Sequence, residues 1–237
     1  MLIIVILTGL ACGILLVAAG FVLWDGFRPA PGLSHVAQVL GWLAGTLLLV
    51  GALLAWFASH HLSPSVPPLI LMAAVAAPPR VQHRHGAHWD NALLILPALA
   101  LAGAGLFWTT APPEPGAGGP MITLARLALA ICGGFGARAL GRVLSEMVTS
   151  LPHGAWPSAI TYALLTLLVG SMVLANLWQR GSTWGGAAGE SGLAAAWLAW
   201  STAWVSPRRP LRLQAILTAV AALFLIVLAA GYSMLDA

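Results

Sequence analysis

Residues 1–24 read MLIIVILTGLACGILLVAAGFVLW, and the fold turns on whether they form a secretory leader or a membrane span. A leader has a basic n-region ahead of a short apolar core. Here the apolar run starts at Leu2, lasts more than 20 residues and has no basic residue before it. A bilayer core about 30 Å thick takes about 20 apolar residues in a helix. The stretch therefore reads as a retained first span.

The rest of the chain supports this. Its 237 residues are 60% hydrophobic and only 7% charged, whereas soluble domains carry about 25% charged residues. So few charges cannot cover a water-facing surface, so most of the surface must face lipid. There is no lysine, and the net charge of +4 comes from ten Arg against six acidic residues. The arginines are scattered singly near segment ends, with no basic, aromatic-interleaved patch, so nucleic acid is not an expected partner. Cys12 and Cys132 lie inside apolar runs and there is no CxxC, which points to buried thiols rather than a disulfide.

Spans are expected near 2–24, 36–57, 64–78, 92–110, 121–143, 158–178, 191–206 and 213–233. The third, within PSVPPLILMAAVAAPP, is short and framed by proline, which suits a first helical turn and a stop. With the N-terminus outside, Arg28, Arg80, Arg84, Arg138, Arg142, Arg208, Arg209 and Arg212 fall in or beside inner loops. Only Arg126 and Arg180 lie toward the other side. Eight of ten on one side agrees with the positive-inside rule. The expected fold is all-α: one integral-membrane domain over 1–237, a bundle of about eight transmembrane helices with both termini outside. No connecting loop is long enough to form a separate domain.

One loop draws attention. Residues 174–200, LANLWQRGSTWGGAAGESGLAAAWLAW, place Trp178, Trp184, Trp197 and Trp200 around a single acid, Glu190. The order of segments resembles the cytochrome c assembly family (CcsA/ResC type), membrane proteins that handle haem. GWLAGTLLLVGALLAWFASHHLSP (41–64) is similar to the family's second helix and its outer turn. APPEPGAGGPMITLARLALAICGGFGARAL (111–140) is similar to the loop and helix before its core. AITYALLTLLVGSMVLANLW (159–178) resembles the helix entering the family's tryptophan-rich outer loop, and WLAWSTAWVSPRRPLR (197–212) the exit from it.

The resemblance implies haem handling, or presentation of an apocytochrome or other partner, at the outer face. It maps the family's WWD signature onto Trp184-Gly185, Glu190, Trp197 and Trp200, with GAAG replacing the central Trp-Asp-Pro-Lys. The family's haem-ligating histidines would fall near Met121–Arg126, near Ser206 and in GYSMLDA, and no histidine stands at any of the three. The chain thus reads as a degenerate member of that family, in a bacterial cytoplasmic (inner) membrane.

Each motif also has a plainer reading. Tryptophan is routine at helix ends, where the ring is apolar and its N–H reaches water. Glu190 also suits a helix N-terminus. His60 and His61 could ligate haem at the outer surface, or simply end a helix. Neighbouring helical residues point about 100° apart, so only one of the two could face a common site. In QHRHGAHWD, His83, His85, His88 and Asp90 could bind zinc or copper, but match no closed zinc motif and flank Arg84. The alternative there is a solvated basic loop. Arg126 lies within a helix and either snorkels or pairs with Glu114. Arg142 and Glu146, four apart, suit one another.

No GxSxG, HExxH or P-loop is present, so no catalytic set is expected. A transporter would more typically show broken helices with polar groups near mid-membrane, which this sequence lacks. Two functions remain open. One is a cytochrome c assembly protein, working with cytochrome c maturation proteins, with haem as the conceivable cofactor and Trp178, Trp184, Gly185, Glu190, Trp197, Trp200, His60 and His61 as binding residues. The other is a non-catalytic accessory subunit of a respiratory or photosynthetic electron-transfer complex, packed on other membrane subunits and lipid.

Overall fold

In the computed structural model, the described residues are 2–27, 32–58, 66–77, 88–108, 120–149, 159–186, 188–205 and 211–231. They form eight α-helices and no strand: α1 (Leu2–Phe27), α2 (Leu33–Phe57), α3 (Val66–Ala76), α4 (His88–Trp108), α5 (Pro120–Thr149), α6 (Ala159–Arg180), α7 (Ala188–Val205) and α8 (Leu211–Gly231). The fold is all-α, as the long unbroken apolar runs led one to expect. A helix satisfies its backbone groups within a single segment, which a continuous apolar run in lipid requires.

Five stretches among the described residues are long and apolar enough to cross a membrane: Leu2–Trp24, His35–Phe57, Ala125–Ser145, Ala159–Arg180 and Leu213–Ala230. The protein is an integral membrane protein. Its exposed surface along these helices is apolar, with Leu2, Leu16, Leu53, Leu167 and Val227 all facing outward. Such side chains meet lipid, whose tails are as apolar as a leucine-rich core.

The helices pack as two rings of four. In the first, α1 touches α2 and α4, and α3 touches α2 and α4. In the second, α5 touches α6 and α8, and α7 touches α6 and α8. The rings meet where α5 packs against α3 and α4, with a lighter contact between α3 and α8.

At this junction lies α3, the described part of the expected third span. It has only 11 residues, about 16 Å at about 1.5 Å per residue, and nearly all of them are buried. Pro67 and Pro68 occupy its first turn, where backbone N–H groups have no helical acceptor. Proline removes two of those donors from an apolar interior.

Glycines on three neighbouring helices seat α3. A Cβ added at Gly51 of α2 would lie 3.8 Å from Ile70 Cγ2, and one at Gly105 of α4 would lie 3.0 Å from Ile70 Cγ1. On α5, a Cβ at Gly133 would strike Met72 Sδ. One at Gly134 would sit 2.5 Å from Val75 Cβ and 2.9 Å from the Met72 carbonyl oxygen. Small residues let membrane helices approach closely where no hydrophobic force drives them together.

Gly134→Ala should therefore destabilise the protein by about 2 kcal/mol, the scale of overpacking against backbone. Gly13→Ala on the outward face of α1, where nothing lies within 4 Å, should be neutral or slightly stabilising through helix propensity. Thermal unfolding of both variants in the same detergent checks the contrast.

Candidate functional site

The turn between α6 and α7 is built by its glycines and by one acid. α6 ends at Gly181, whose φ of +68° is left-handed and whose N–H donates to the Leu177 carbonyl at 3.1 Å. This is the usual helix stop, which glycine adopts without a Cβ penalty. The Ser182 hydroxyl donates to the Trp184 carbonyl at 2.8 Å. Gly186, at φ +80°, turns the chain back toward α7.

Glu190 is the third residue of α7, where the helix dipole favours a negative charge. Its Oε2 accepts from the Gly185 N–H at 2.7 Å, and its Oε1 from Asn176 Nδ2 at 2.9 Å. The half-exposed Arg180 guanidinium lies 4.0 Å from Oε1, and its Nη1 donates to the Gly185 carbonyl at 3.1 Å. A carboxylate on the first turn of α7 thus binds both the last turns of α6 and the loop between them. A side chain at Gly185 would force the ends of Arg180 and Glu190 to move. A Cβ there would run into Arg180 Nη1 and approach Glu190 Oε1 to 2.5 Å.

Trp178 is 92% exposed and Trp184 43% exposed. Trp178 stands two residues from Asn176, hence about 200° around the helix, which turns it away from the Glu190 bracket. Trp184 lies in the turn itself, beside Gly185.

The other two tryptophans are elsewhere. Trp197 and Trp200 sit about 10 Å and 15 Å further along α7 from Glu190. Trp197 Nε1 donates to Thr166 Oγ1 at 2.9 Å, which in turn donates to the Tyr162 carbonyl at 2.8 Å. This chain ties the middle of α7 to α6. Trp200 is fully buried, with 0% exposure. At the far end, Tyr162 stacks on Trp204 with centroids 6.0 Å apart and planes within 7°. The structure therefore brings Trp184, Gly185 and Glu190 together, places Trp178 at the same end, and assigns Trp197 and Trp200 to helix packing.

Asn176 and Arg180 complete the bracket and were not among the expected site residues. Asn176 is one of three buried residues of α6, with Thr161 and Leu165. A lone amide on an otherwise apolar helix face was the available signal, because such a group must find a partner in lipid.

His60 and His61 lie outside the described residues, as do His83, His85 and Glu114. His88 begins α4 and Asp90 follows it, but their side chains, like that of Glu146, are likewise outside. Among the described residues, no group of three His, Cys, Asp or Glu is placed to hold a metal.

A haem needs flat aromatic walls and an axial ligand such as histidine, cysteine or methionine. The turn from Trp178 to Glu190 has aromatic and glycine residues but none of those ligands, and its one carboxylate is already bonded on both oxygens. The donor set of the turn does not fit haem ligation on its own. No protein-family model matches the chain, and no curated protein or solved structure matches it either.

Proposed function

We propose that this protein is a membrane component of the cytochrome c assembly type, which receives a partner polypeptide on the Trp178–Trp184 turn. The observation that carries this reading is a contrast within one short segment. Glu190, Asn176, Gly185 and Arg180 fix the backbone of the turn, while Trp178 and Trp184 are left facing outward. Exposed tryptophans on a rigid support are what protein-binding hot spots use, because little conformational entropy is lost on docking.

In this reading the turn serves a partner such as an apocytochrome. Haem, where it takes part, is ligated by His60, His61 or the partner. In this reading the turn lies on the outer face of a bacterial inner membrane, an orientation that the one-sided distribution of arginines supports. The resemblance in the sequence supplies the pathway.

The test uses the full-length protein, recovered from its native membrane in mild detergent. Trp178→Ala and Trp184→Ala should each lose co-purifying cytochrome c maturation proteins about tenfold or more while the unfolding midpoint stays within 1–2 °C. Unchanged co-purification would leave the two rings as interfacial anchors and sink the reading.

A second function is favoured by a different observation. Outside its seams with α5 and α7, α6 buries little, and α1 and α2 also present long apolar faces. Helices of other subunits could cover such faces, as expected of an accessory subunit in an electron-transfer complex. That role predicts stoichiometric co-purification with redox-cofactor subunits, unaffected by Trp178→Ala.

A further inference from the structure

α5 carries two arginines well inside its apolar span. Arg138 and Arg142 lie seven and three residues from the Ser145 end of that span, about 10 Å and about 5 Å along the axis. They are four residues apart, so both stand on one face of the helix with Cβ atoms about 5–6 Å apart. Charge at such depth is costly, and like charges at this spacing repel. Two cations on adjacent turns of one span call for an anion.

Their face is open. Ala128, Ile131, Phe135, Arg138 and Arg142 follow one another at intervals of three or four residues and are all partly exposed. Gly134 and Ser145 on one flank, and Cys132 and Ala139 on the other, are buried. At about 100° per residue, Gly133 is on the opposite side of the helix from Arg142, and there it meets Met72 of α3 and Ala229 of α8. The stripe therefore looks away from the junction of the two rings. α4 and α6 also touch α5 but do not close over it. In a membrane such a face meets lipid, and the room beside it is the bilayer itself.

Both arginines also interact with other groups of the chain. A guanidinium carries five N–H donors, so such contacts leave capacity for a further acceptor. Glu146, one turn beyond Arg142, is the acid nearest to the pair in sequence, and its pairing with Arg142 would still leave the stripe positive. Helical side chains lean toward the N-terminus, which from this end of α5 is back into the span, so neither stem starts toward water. Arginine held at this depth is accommodated by local thinning of the bilayer, which brings headgroups to it. A phosphate suits two guanidinium groups, because their paired donors match its oxygens. The excess of positive charge favours a lipid whose headgroup brings no cation of its own. Phe135 and Ile131, one and two turns further along the stripe, give an acyl chain an apolar track.

We infer that this face of α5 binds an acidic phospholipid, with the headgroup phosphate held by Arg138 and Arg142 and an acyl chain along Phe135 and Ile131. The inference does not rest on the function proposed for the α6–α7 turn, which uses none of these residues.

The test is the thermal unfolding midpoint of the full-length protein in mild detergent, titrated with phosphatidylglycerol, with phosphatidylcholine and with inorganic phosphate. Phosphatidylglycerol should raise the wild-type midpoint at about tenfold lower concentration than phosphatidylcholine. Arg138→Gln and Arg142→Gln should each need about tenfold more phosphatidylglycerol than the parent for the same rise, and the double variant should respond to the two lipids alike. Arg138→Lys and Arg142→Lys keep the charge without the planar fork and should lose less than the glutamine variants. Arg126→Gln, at the far end of the same span, should respond as the parent does. A wild-type midpoint that rises equally with both lipids overturns the inference without any variant having to fold, and is the result expected if an acidic side chain of a partner subunit is the true occupant. Glutamine variants that keep the parent's preference overturn it as well. A rise with inorganic phosphate matching that with phosphatidylglycerol would make the free anion the ligand and overturn the lipid.

Discussion

Trp200→Ala should lower the stability of the folded protein by about 3 kcal/mol, the largest loss expected from any single tryptophan here. The ring is fully buried within α7, and α7 packs between α6 and α8. Truncating a buried aromatic costs about 3–5 kcal/mol in water-soluble cores, through lost transfer energy and through the cavity left behind. In a bilayer the transfer part is small because lipid is as apolar as the interior, which puts the expected value at the lower end. The rest is lost packing, since a void gives its lining no partner atoms. Trp178→Ala removes the same side chain from the same ring of helices with no change in midpoint. Denaturant or thermal titration of the two variants in one detergent separates a packing tryptophan from a surface one, and equal losses would contradict the placement of both.

Glu190→Ala should cost about 2–4 kcal/mol. The change leaves the buried Asn176 amide without its acceptor at 2.9 Å and the Gly185 N–H without its acceptor at 2.7 Å. It also takes a negative charge from the first turn of α7. Glu190→Gln keeps one acceptor oxygen and should lose about half as much. Arg180→Ala should lose less than about 1 kcal/mol, because a half-exposed ion pair at 4.0 Å is worth little. Amide hydrogen exchange offers a local readout. The Gly185 N–H should be protected in the parent and exchange at least tenfold faster in Glu190→Ala, while amides in the middle of α5 keep their rates. A Glu190→Ala protein as stable as its parent would mean that the carboxylate does not hold the turn.

Which tryptophans face inward could not be read from the sequence, and the reason is specific to membranes. In a soluble helix the polar face shows which side is out, whereas in α7 the stretch AAAWLAWSTAW is apolar or small all round. Lipid-facing and core-facing positions then look alike, so four tryptophans near one acid read as a single cluster. The helices themselves were legible, because charge is scarce and apolar runs are long. Glu190 was legible as a first-turn acid. Its partner Asn176 lies 14 residues upstream across the turn, and only the packing of α6 on α7 brings the two together. The seat of α3 was half legible. The small residues of AICGGFGARALG are visible in the sequence and permit a close approach, but they do not show that the element approaching is an 11-residue helix at the junction of two rings.

That short helix bears on how the chain is assembled during synthesis. A segment is released from the translocon into lipid when it is long and apolar enough to be stable there alone, and the 11 described residues of α3 supply only part of the about 20 required. Their buried place is completed by docking on neighbouring segments, a second stage that follows insertion. Part of the seat, Gly51, is made before α3, and the rest, Gly105, Gly133 and Gly134, is made after it. Until α5 has been synthesised α3 lacks one of its walls. Substitutions at Gly133 or Gly134 should therefore register first as nascent chains handed to membrane quality control, ahead of any defect in the mature protein.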